Sequence, residues 1–169
     1  TGEDNILLAT AKGKAIRCPE KDVRSMGRTA RGVVGIRMED GDSVIGMSLA
    51  ADESTVLTVT ENGFGKRTKV GEYRLQHRGG QGIINIKTSQ RNGDVVGMLT
   101  VDDDDEIVMV STDGIVMRCE VKGIRTIGRN TQGVKVMAPR PGAKVSAVAK
   151  AIAETKEKQL TDSEANGDV

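Results

Sequence analysis

The sequence has few aromatic residues, one histidine and two cysteines, and each shortage excludes a class of protein. Among 169 residues there are one Tyr, one Phe and no Trp, which leaves no set of side chains for stacking nucleic-acid bases. A single His excludes a multi-histidine metal site, and two Cys exclude a disulfide-dense secreted scaffold. No apolar run approaches the roughly 18–20 residues of a membrane span, and no signal peptide opens the chain. We therefore expect a soluble, cytoplasmic, glycine-rich protein, and a chain beginning at Thr1 is expected to be a piece of a longer one.

Three tandem repeats organise the chain. The segments ILLATAKGKAIRC (6–18), VLTVTENGFGKRT (56–68) and IVMVSTDGIVMRC (107–119) align on a glycine that we call the anchor. Five positions coincide in all three copies without a gap: the anchor and the residues 4, 11, 15 and 19 after it. The residues at these positions are Gly13, Gly63 and Gly114; Arg17, Arg67 and Arg118; Arg24, Arg74 and Arg125; Arg28, Arg78 and Arg129; and Gly32, Gly82 and Gly133.

Each repeat has the pattern of short β-strands joined by tight turns. β-Branched runs precede the anchor, and Asn62-Gly63 or Asp113-Gly114 suits a hairpin. Apolar strands are predicted again at 33–38, 83–87 and 134–137, and one more ends each repeat. Four strands in about 50 residues match a propeller blade.

We predict an all-β fold, a propeller-like array of three four-stranded blades. The blades are placed at approximately 4–51, 52–102 and 103–150, and an acidic, mostly disordered tail of net charge −3 at 151–169. A closed propeller has about four to eight blades. Three blades therefore form an open arc, half of a six-bladed disc, or a piece that pairs with a second copy.

Charge alternates along the chain although the net charge is only +1. The segments 12–37, 63–91 and 114–140 carry +6, +6 and +5, whereas 38–62 and 92–113 carry −6 and −7. Equivalent elements of a radial array lie at the same place on each blade, so the basic patches should line up along one rim. A track of cations suits duplex DNA, which has one phosphate charge per ~1.7 Å of axis. Without stacking side chains, the array is predicted to bind and bend the duplex without reading its bases.

The candidate DNA-binding residues are the repeated arginines and their polar neighbours. Consecutive Gly79 and Gly80 would let the backbone approach phosphates closely, and Arg favours bidentate phosphate contacts. Alanine at Arg78 or Arg129 is predicted to weaken binding uniformly across sequences. The predicted contact set is Arg17, Arg24, Arg28, Arg31, Lys66, Arg67, Arg74, Gln76, His77, Arg78, Gly79, Gly80, Arg118, Arg125 and Arg129.

The sequence predicts no catalytic, metal or cofactor site. GKRT at 65–68 is similar to the end of a phosphate-binding loop, but Thr60 stands where that loop requires a glycine. The acidic run at 102–106 lacks the spaced ligands of a calcium loop. His77 has no paired nucleophile around it.

The segment QHRGGQG at 76–82 resembles the QRRGGKG box of the DNA gyrase A C-terminal domain, matching five of seven positions. NGFGKRT at 62–68, GEYR at 71–74 and GRNTQGV at 128–134 also resemble blade motifs of that family. The resemblance covers all three repeats. It implies a β-pinwheel, a propeller-like disc with its own strand connectivity, around whose rim duplex DNA wraps with positive handedness.

The resemblance also implies a role in a larger assembly. The module would be non-catalytic and would support ATP-dependent negative supercoiling by the whole topoisomerase. Its partners would be duplex DNA, the remainder of the gyrase A polypeptide and the gyrase B polypeptide of the heterotetramer. The box lies in the middle repeat, with His77 and Gln81 in place of basic residues, so the chain is expected to be the last three of six blades. Tyr73 lies within a blade repeat and is not expected to be the catalytic tyrosine.

Two alternatives stay open. One is the corresponding C-terminal domain of topoisomerase IV, a relaxing and decatenating enzyme. The other is a protein-interaction propeller whose charged face docks an acidic partner. Dependence of binding on salt and on DNA length separates the second alternative from DNA wrapping.

Overall fold

The computed structural model describes residues 2–151, and the tail predicted at 151–169 lies outside the described residues except for Ala151. The helices in this range are three single-turn 3-10 helices at Glu20–Asp22, Val70–Glu72 and Val121–Gly123, and none could cross a membrane. The strands are β1 (Asn5–Thr10), β2 (Lys14–Pro19), β3 (Val44–Leu49), β4 (Thr55–Thr60), β5 (Phe64–Lys69), β6 (Ile83–Ile84), β7 (Val95–Val101), β8 (Glu106–Ser111), β9 (Val116–Glu120), β10 (Val134–Lys135) and β11 (Val145–Lys150).

Each repeat opens with a tight antiparallel hairpin at its anchor glycine, as predicted. The hairpins are β1–β2, β4–β5 and β8–β9. The anchors Gly13, Gly63 and Gly114 have φ of 83°, 78° and 82°, a left-handed conformation that glycine adopts without steric cost. A third strand from the same repeat, β3, β7 or β11, then pairs with the first strand of its hairpin.

The fourth strand of a blade comes from the next repeat. The sheet orders are β3-β1-β2-β6, β7-β4-β5-β10 and β11-β8-β9, so β6 of the second repeat completes the first sheet and β10 of the third completes the second. The predicted all-β, propeller-like class is confirmed, although the third sheet has three strands within the described residues. The strand predicted at 33–38 does not form there: an isolated bridge joins Ile36 to Gly80.

The hydrophobic core lies between blades. One cluster joins Leu7 and Ala9 of the first repeat to Met98 of the second, and the other joins Leu57 of the second to Val145 of the third. Burying a Leu, Met or Val side chain contributes about 1.5–3 kcal/mol. Neighbouring repeats therefore stabilise one another.

Candidate nucleic-acid interface

Three repeat-equivalent arginines are exposed, and we call the surface that they mark the rim. Arg24, Arg74 and Arg125 each lie two residues after a 3-10 helix and are exposed. In the second and third repeats the residue between helix and arginine, Tyr73 or Ile124, is extended and buried. Because side chains alternate along extended backbone, the arginine that follows points outward. Among residues 2–151, none of these three guanidinium groups has a hydrogen-bond or ion-pair partner.

Arg74 and Arg125 lie at the junctions between blades. Single parallel bridges join Leu75 to Arg17 and Thr126 to Arg67, so the segments after the second and third helices run beside the hairpin of the preceding repeat. The amide of Gln76 donates to the Arg17 carbonyl at 2.9 Å. This backbone pairing fixes the base of Arg74 and Arg125 while leaving their guanidinium groups in solvent.

Further polar groups of the predicted set lie in the loop that follows. Arg28 and Arg31 are exposed. The His77 side chain is 96% exposed, with Nδ1 3.1 Å from the Asp22 carboxylate. The amide of Gly79, predicted to face phosphate, donates instead to the Gly35 carbonyl at 2.6 Å. Gly80 and Gln76 are half-buried in the same loop. The loop could therefore contact a phosphate through its side chains, whereas its Gly79 amide already donates within the protein.

Two arginines of the predicted contact set bind backbone carbonyl groups at the junctions between repeats. Arg78 donates to the Asp22 carbonyl at 2.8 Å and to the Val34 carbonyl at 3.1 Å. Arg129, its equivalent, donates to the carbonyl of Ile84 at 2.7 Å. Val34 and Ile84 are themselves repeat-equivalent. Both arginines therefore bind the backbone of the preceding repeat, a role that the charge pattern did not reveal.

Arg17 and Arg67 are buried, at 8% and 7% exposure. Arg17 pairs with Asp52 and Arg67 with Asp103. Arg67 also donates to a carbonyl of the next repeat, that of Ile124 at 2.9 Å. A guanidinium so enclosed does not reach a phosphate outside the protein, which removes both from the candidate interface. Their exposed equivalent in the third repeat, Arg118, pairs with Glu106.

Lys66 is fully buried as well. Its ammonium donates to the Thr68 hydroxyl, and burial lowers the pKa of Lys66 to about 7, with Glu72 raising this pKa and Arg129 lowering it. Transfer of a charged amine out of water disfavours the charged form. Lys66 is therefore a partly neutral core residue and leaves the candidate interface.

The predicted contact set omits two exposed cations that lie against its loops. Arg37 and Lys87 are repeat-equivalent, and their amides donate to the Gly80 and Thr131 carbonyls at 2.8 Å, which fixes them against the loop of the next repeat. Their signal in the sequence was weaker because Ala138 holds the third equivalent position. A search for cations in two of three copies would have found them.

The acidic segments form contacts between repeats. Lys12 and Asp94 pair at 2.7 Å between the first and second repeats, and Lys144 and Glu61 pair at 2.9 Å between the third and second. With Asp52 and Asp103, these carboxylates neutralise cations of neighbouring repeats. Within residues 2–151, no group of three or more His, Cys, Asp or Glu could hold a metal ion.

Comparison with known proteins identifies relatives of all three repeats. The family model described as DNA gyrase C-terminal domain, beta-propeller, matches residues 4–51, 54–102 and 105–151. The chain is 51% identical over 138 residues to the DNA gyrase A protein of Haloquadratum walsbyi, covering 80% of this chain and 16% of that protein. It is 46% identical over 134 residues to the DNA gyrase A protein of Escherichia coli K12, covering 79% and 15%. The chain thus spans less than a fifth of the curated relatives it matches.

Two solved structures share the fold. A DNA gyrase A C-terminal domain superposes with a TM-score of 0.83 at 27% identity, covering 89% of this chain and 51% of that one. A topoisomerase IV C-terminal domain superposes with a TM-score of 0.85 at 24% identity, covering 97% and 51%. The second likeness shows the fold alone.

Proposed function

Because the chain belongs to the DNA gyrase C-terminal domain family, we propose that it binds duplex DNA along the rim marked by Arg24, Arg74 and Arg125. The observation that carries this proposal is the recurrence, at the same place on every repeat, of one exposed arginine whose guanidinium group has no partner within residues 2–151. A polyanion whose charges are regularly spaced can contact one such arginine on each blade. Arg28, Arg31 and His77 lie in the adjoining loops and add contacts.

The proposed recognition is electrostatic and independent of base sequence. Guanidinium groups bind phosphate oxygens bidentately, and contacts to phosphate carry no sequence information. A row of cations on successive blades favours a duplex that follows the rim, and the bending energy is offset by the contacts that the bend permits. The module itself performs no catalysis in this proposal.

In the longer protein, this binding would wrap a DNA segment for a type II topoisomerase. The curated relatives are DNA gyrase A proteins by name. We propose that the remainder of the gyrase A polypeptide and the gyrase B polypeptide are the partners of this module, and that the assembly works in the cytoplasm. DNA on the rim then supports ATP-dependent negative supercoiling by the whole enzyme.

A triple substitution tests the proposed interface. Arg24→Ala, Arg74→Ala and Arg125→Ala in one chain should reduce duplex affinity and lower the slope of log K against log salt by about three, since each phosphate contact contributes about 0.9. Fluorescence anisotropy with a labelled duplex across a salt series measures both. A matched control removes the same charge elsewhere: Arg140→Ala, Lys144→Ala and Lys150→Ala, whose cations already pair with carboxylates.

The control should keep a slope near that of the parent chain. Equal slopes for the two triple variants would contradict the proposed rim. Tight binding of an acidic polypeptide together with weak, length-independent binding of duplex DNA would favour a protein-interaction propeller instead.

A further inference from the structure

The only phenylalanine of the chain lies at the junction of the second and third repeats, against two cations. The guanidinium carbon of Arg91 lies 4.7 Å from the centre of the Phe64 ring, and Nζ of Lys135 lies 4.8 Å from it. Phe64 begins β5, and Lys135 is paired opposite it on β10. Each of the two repeats therefore contributes one cation, and we call Phe64, Arg91 and Lys135 the junction cluster.

Hydrogen bonds fix both cations of the junction cluster. Nζ of Lys135 donates to the Asn62 carbonyl at 2.8 Å, and Nη1 of Arg91 donates to Oε1 of Gln132 at 3.0 Å. The side-chain amide of Asn62 in turn donates to the Arg91 carbonyl at 3.1 Å. Both cations are exposed, and the aromatic face attracts a cation without neutralising its charge. The cluster therefore presents two positive charges at fixed positions.

Neither cation of the junction cluster has an ion-pair partner among residues 2–151. Two carboxylates near it in the sequence belong to other pairs: Glu61 binds Lys144 at 2.9 Å, and Asp94 binds Lys12 at 2.7 Å. Two like charges that are held close together without a counterion attract an anion that contacts both.

The first junction is neutral at the equivalent place. Lys14 stands there in the position of Phe64. Glu39 stands in the position of Arg91, and its carboxylate lies 3.6 Å from the Lys14 ammonium. An apolar residue, Ile84, is paired opposite Lys14 on β6. The two uncompensated charges therefore belong to the second junction and do not follow from the repeat pattern.

The junction cluster lies beside the rim arginine of the third repeat. The amide of Arg67 on β5 donates to the carbonyl of Arg125 at 3.1 Å, and Lys135 is paired with Phe64 on the same strand. Phe64 and Arg67 are three residues apart, which is about 10 Å along a strand, and the major groove of DNA is about 12 Å wide. A duplex whose phosphate contacts Arg125 can therefore place another of its phosphates at the junction cluster.

Resting on the proposed DNA-binding function, we propose that Arg91 and Lys135 bind a phosphate group of the same duplex that contacts Arg125. A guanidinium binds phosphate bidentately and an ammonium binds it as a point charge, so the pair recognises a phosphodiester and no particular base. Phe64 is a positioning residue, because it acts through the two cations that its ring holds. The second junction thus adds two charge contacts that the first junction lacks.

The salt dependence of duplex binding tests this proposal. Arg91→Gln with Lys135→Gln in one chain should lower the slope of log K against log salt by about two, since each phosphate contact contributes about 0.9. The control is Arg140→Gln with Lys150→Gln, because Arg140 is the repeat equivalent of Arg91 and both control cations already pair with carboxylates. The control should keep the slope of the parent chain. All four side chains are exposed, so circular dichroism should stay unchanged.

The outcomes separate this proposal from the proposed function. A parent chain that binds no duplex at low salt would remove both. A slope that falls for the triple variant of the rim arginines but not for the Arg91 and Lys135 double variant would keep the DNA-binding function and overturn the contact at the junction cluster.

Titration of a duplex that covers the array shows whether the cluster and the rim share one duplex. The parent chain and the double variant should both bind one duplex per chain. A fall from two bound duplexes to one in the double variant would show that the cluster binds a separate duplex, which would also overturn the proposal.

Discussion

Arginine side chains connect the repeats through backbone carbonyl oxygens. Arg67 binds the carbonyl of Ile124, and Arg129 binds that of Ile84. Both contacts cross from one repeat to its neighbour, and hydrogen bonds to a charged donor are stronger than neutral ones. Arg125, in the same repeat as Arg129, has no such partner among residues 2–151. The arginines that stabilise the fold therefore differ from those proposed to contact DNA.

Replacing Arg129 by alanine should destabilise the fold modestly and change DNA binding little. The substitution removes the hydrogen bond to the Ile84 carbonyl at an exposed site, where water can replace the lost donor, so the cost should be about 0.5–1.5 kcal/mol. Arg125→Ala, the matched control, should leave the free energy of unfolding within about 0.5 kcal/mol and lower the salt slope of duplex binding. Urea unfolding followed by circular dichroism measures stability. The reverse pattern would show that the two roles are exchanged.

Lys66 should make stability depend on pH. Its pKa is lowered to about 7 in the folded chain and is about 10.4 when unfolded, so between these values the unfolded chain binds more protons. Stability contributed at this site therefore rises with pH across that window, by up to about 1.4 kcal/mol per pH unit. Lys66→Met, of similar size and without a charge, should flatten the curve. A variant that keeps the parent slope between pH 7 and 10 would contradict the assignment.

The sequence alone shows that arginines recur at equivalent positions, but it does not show which group each arginine binds. The charge pattern assigned Arg17, Arg67, Arg78 and Arg129 to DNA, while the structure has them on carboxylates and carbonyls of neighbouring repeats. These partners lie about one repeat away along the chain. Arg24, Arg74 and Arg125 stay predictions as DNA contacts, now supported by exposure.

At the scale of elements, strand exchange joins the blades. β6 and β10 have two residues each and still complete four-stranded sheets. The glycine before each of them makes this possible: Gly82 and Gly133 have φ of 68° and 78°, and their Cα atoms approach the preceding repeat closely.

Gly133→Ala should destabilise the second sheet strongly. A Cβ there would lie 2.8 Å from the Gly65 carbonyl oxygen, and both strands are backbone-paired, so neither can move freely. We expect about 1–2 kcal/mol for the left-handed backbone and about 1–3 kcal/mol for the overlap. Gly41→Ala is the control, since Gly41 has φ of 76° but open space around it. This variant should lose only the free energy that the left-handed backbone costs. Equal losses in urea unfolding would show that the close approach does not matter.

The local sequence predicts the hairpins, but it does not predict the exchange of strands between repeats. Asn62-Gly63 and Asp113-Gly114 predict turns within a few residues, and the structure has hairpins there. Propensity also marked apolar runs at 83–87 and 134–137, which the structure shortens to β6 and β10. Which repeat receives a two-residue strand depends on long-range packing that no local pattern encodes.

At the scale of the whole molecule, cores between blades fix the spacing of the rim arginines. Since Met98 packs on the first repeat and Val145 on the second, Arg74 and Arg125 are carried on one continuous packed array. A duplex long enough to extend over more than one repeat should therefore contact several arginines at once. A short duplex should reach fewer.

The most direct test of the DNA-binding rim is the salt slope of binding measured against duplex length. The slope counts displaced counterions, so it does not grow merely because a longer duplex offers more overlapping sites. We predict that it increases with length and levels off, at about three or more, once the duplex reaches the exposed arginines of all three repeats. A slope already at its plateau for the shortest duplex that binds, or no binding at low salt, would contradict a DNA track along the rim.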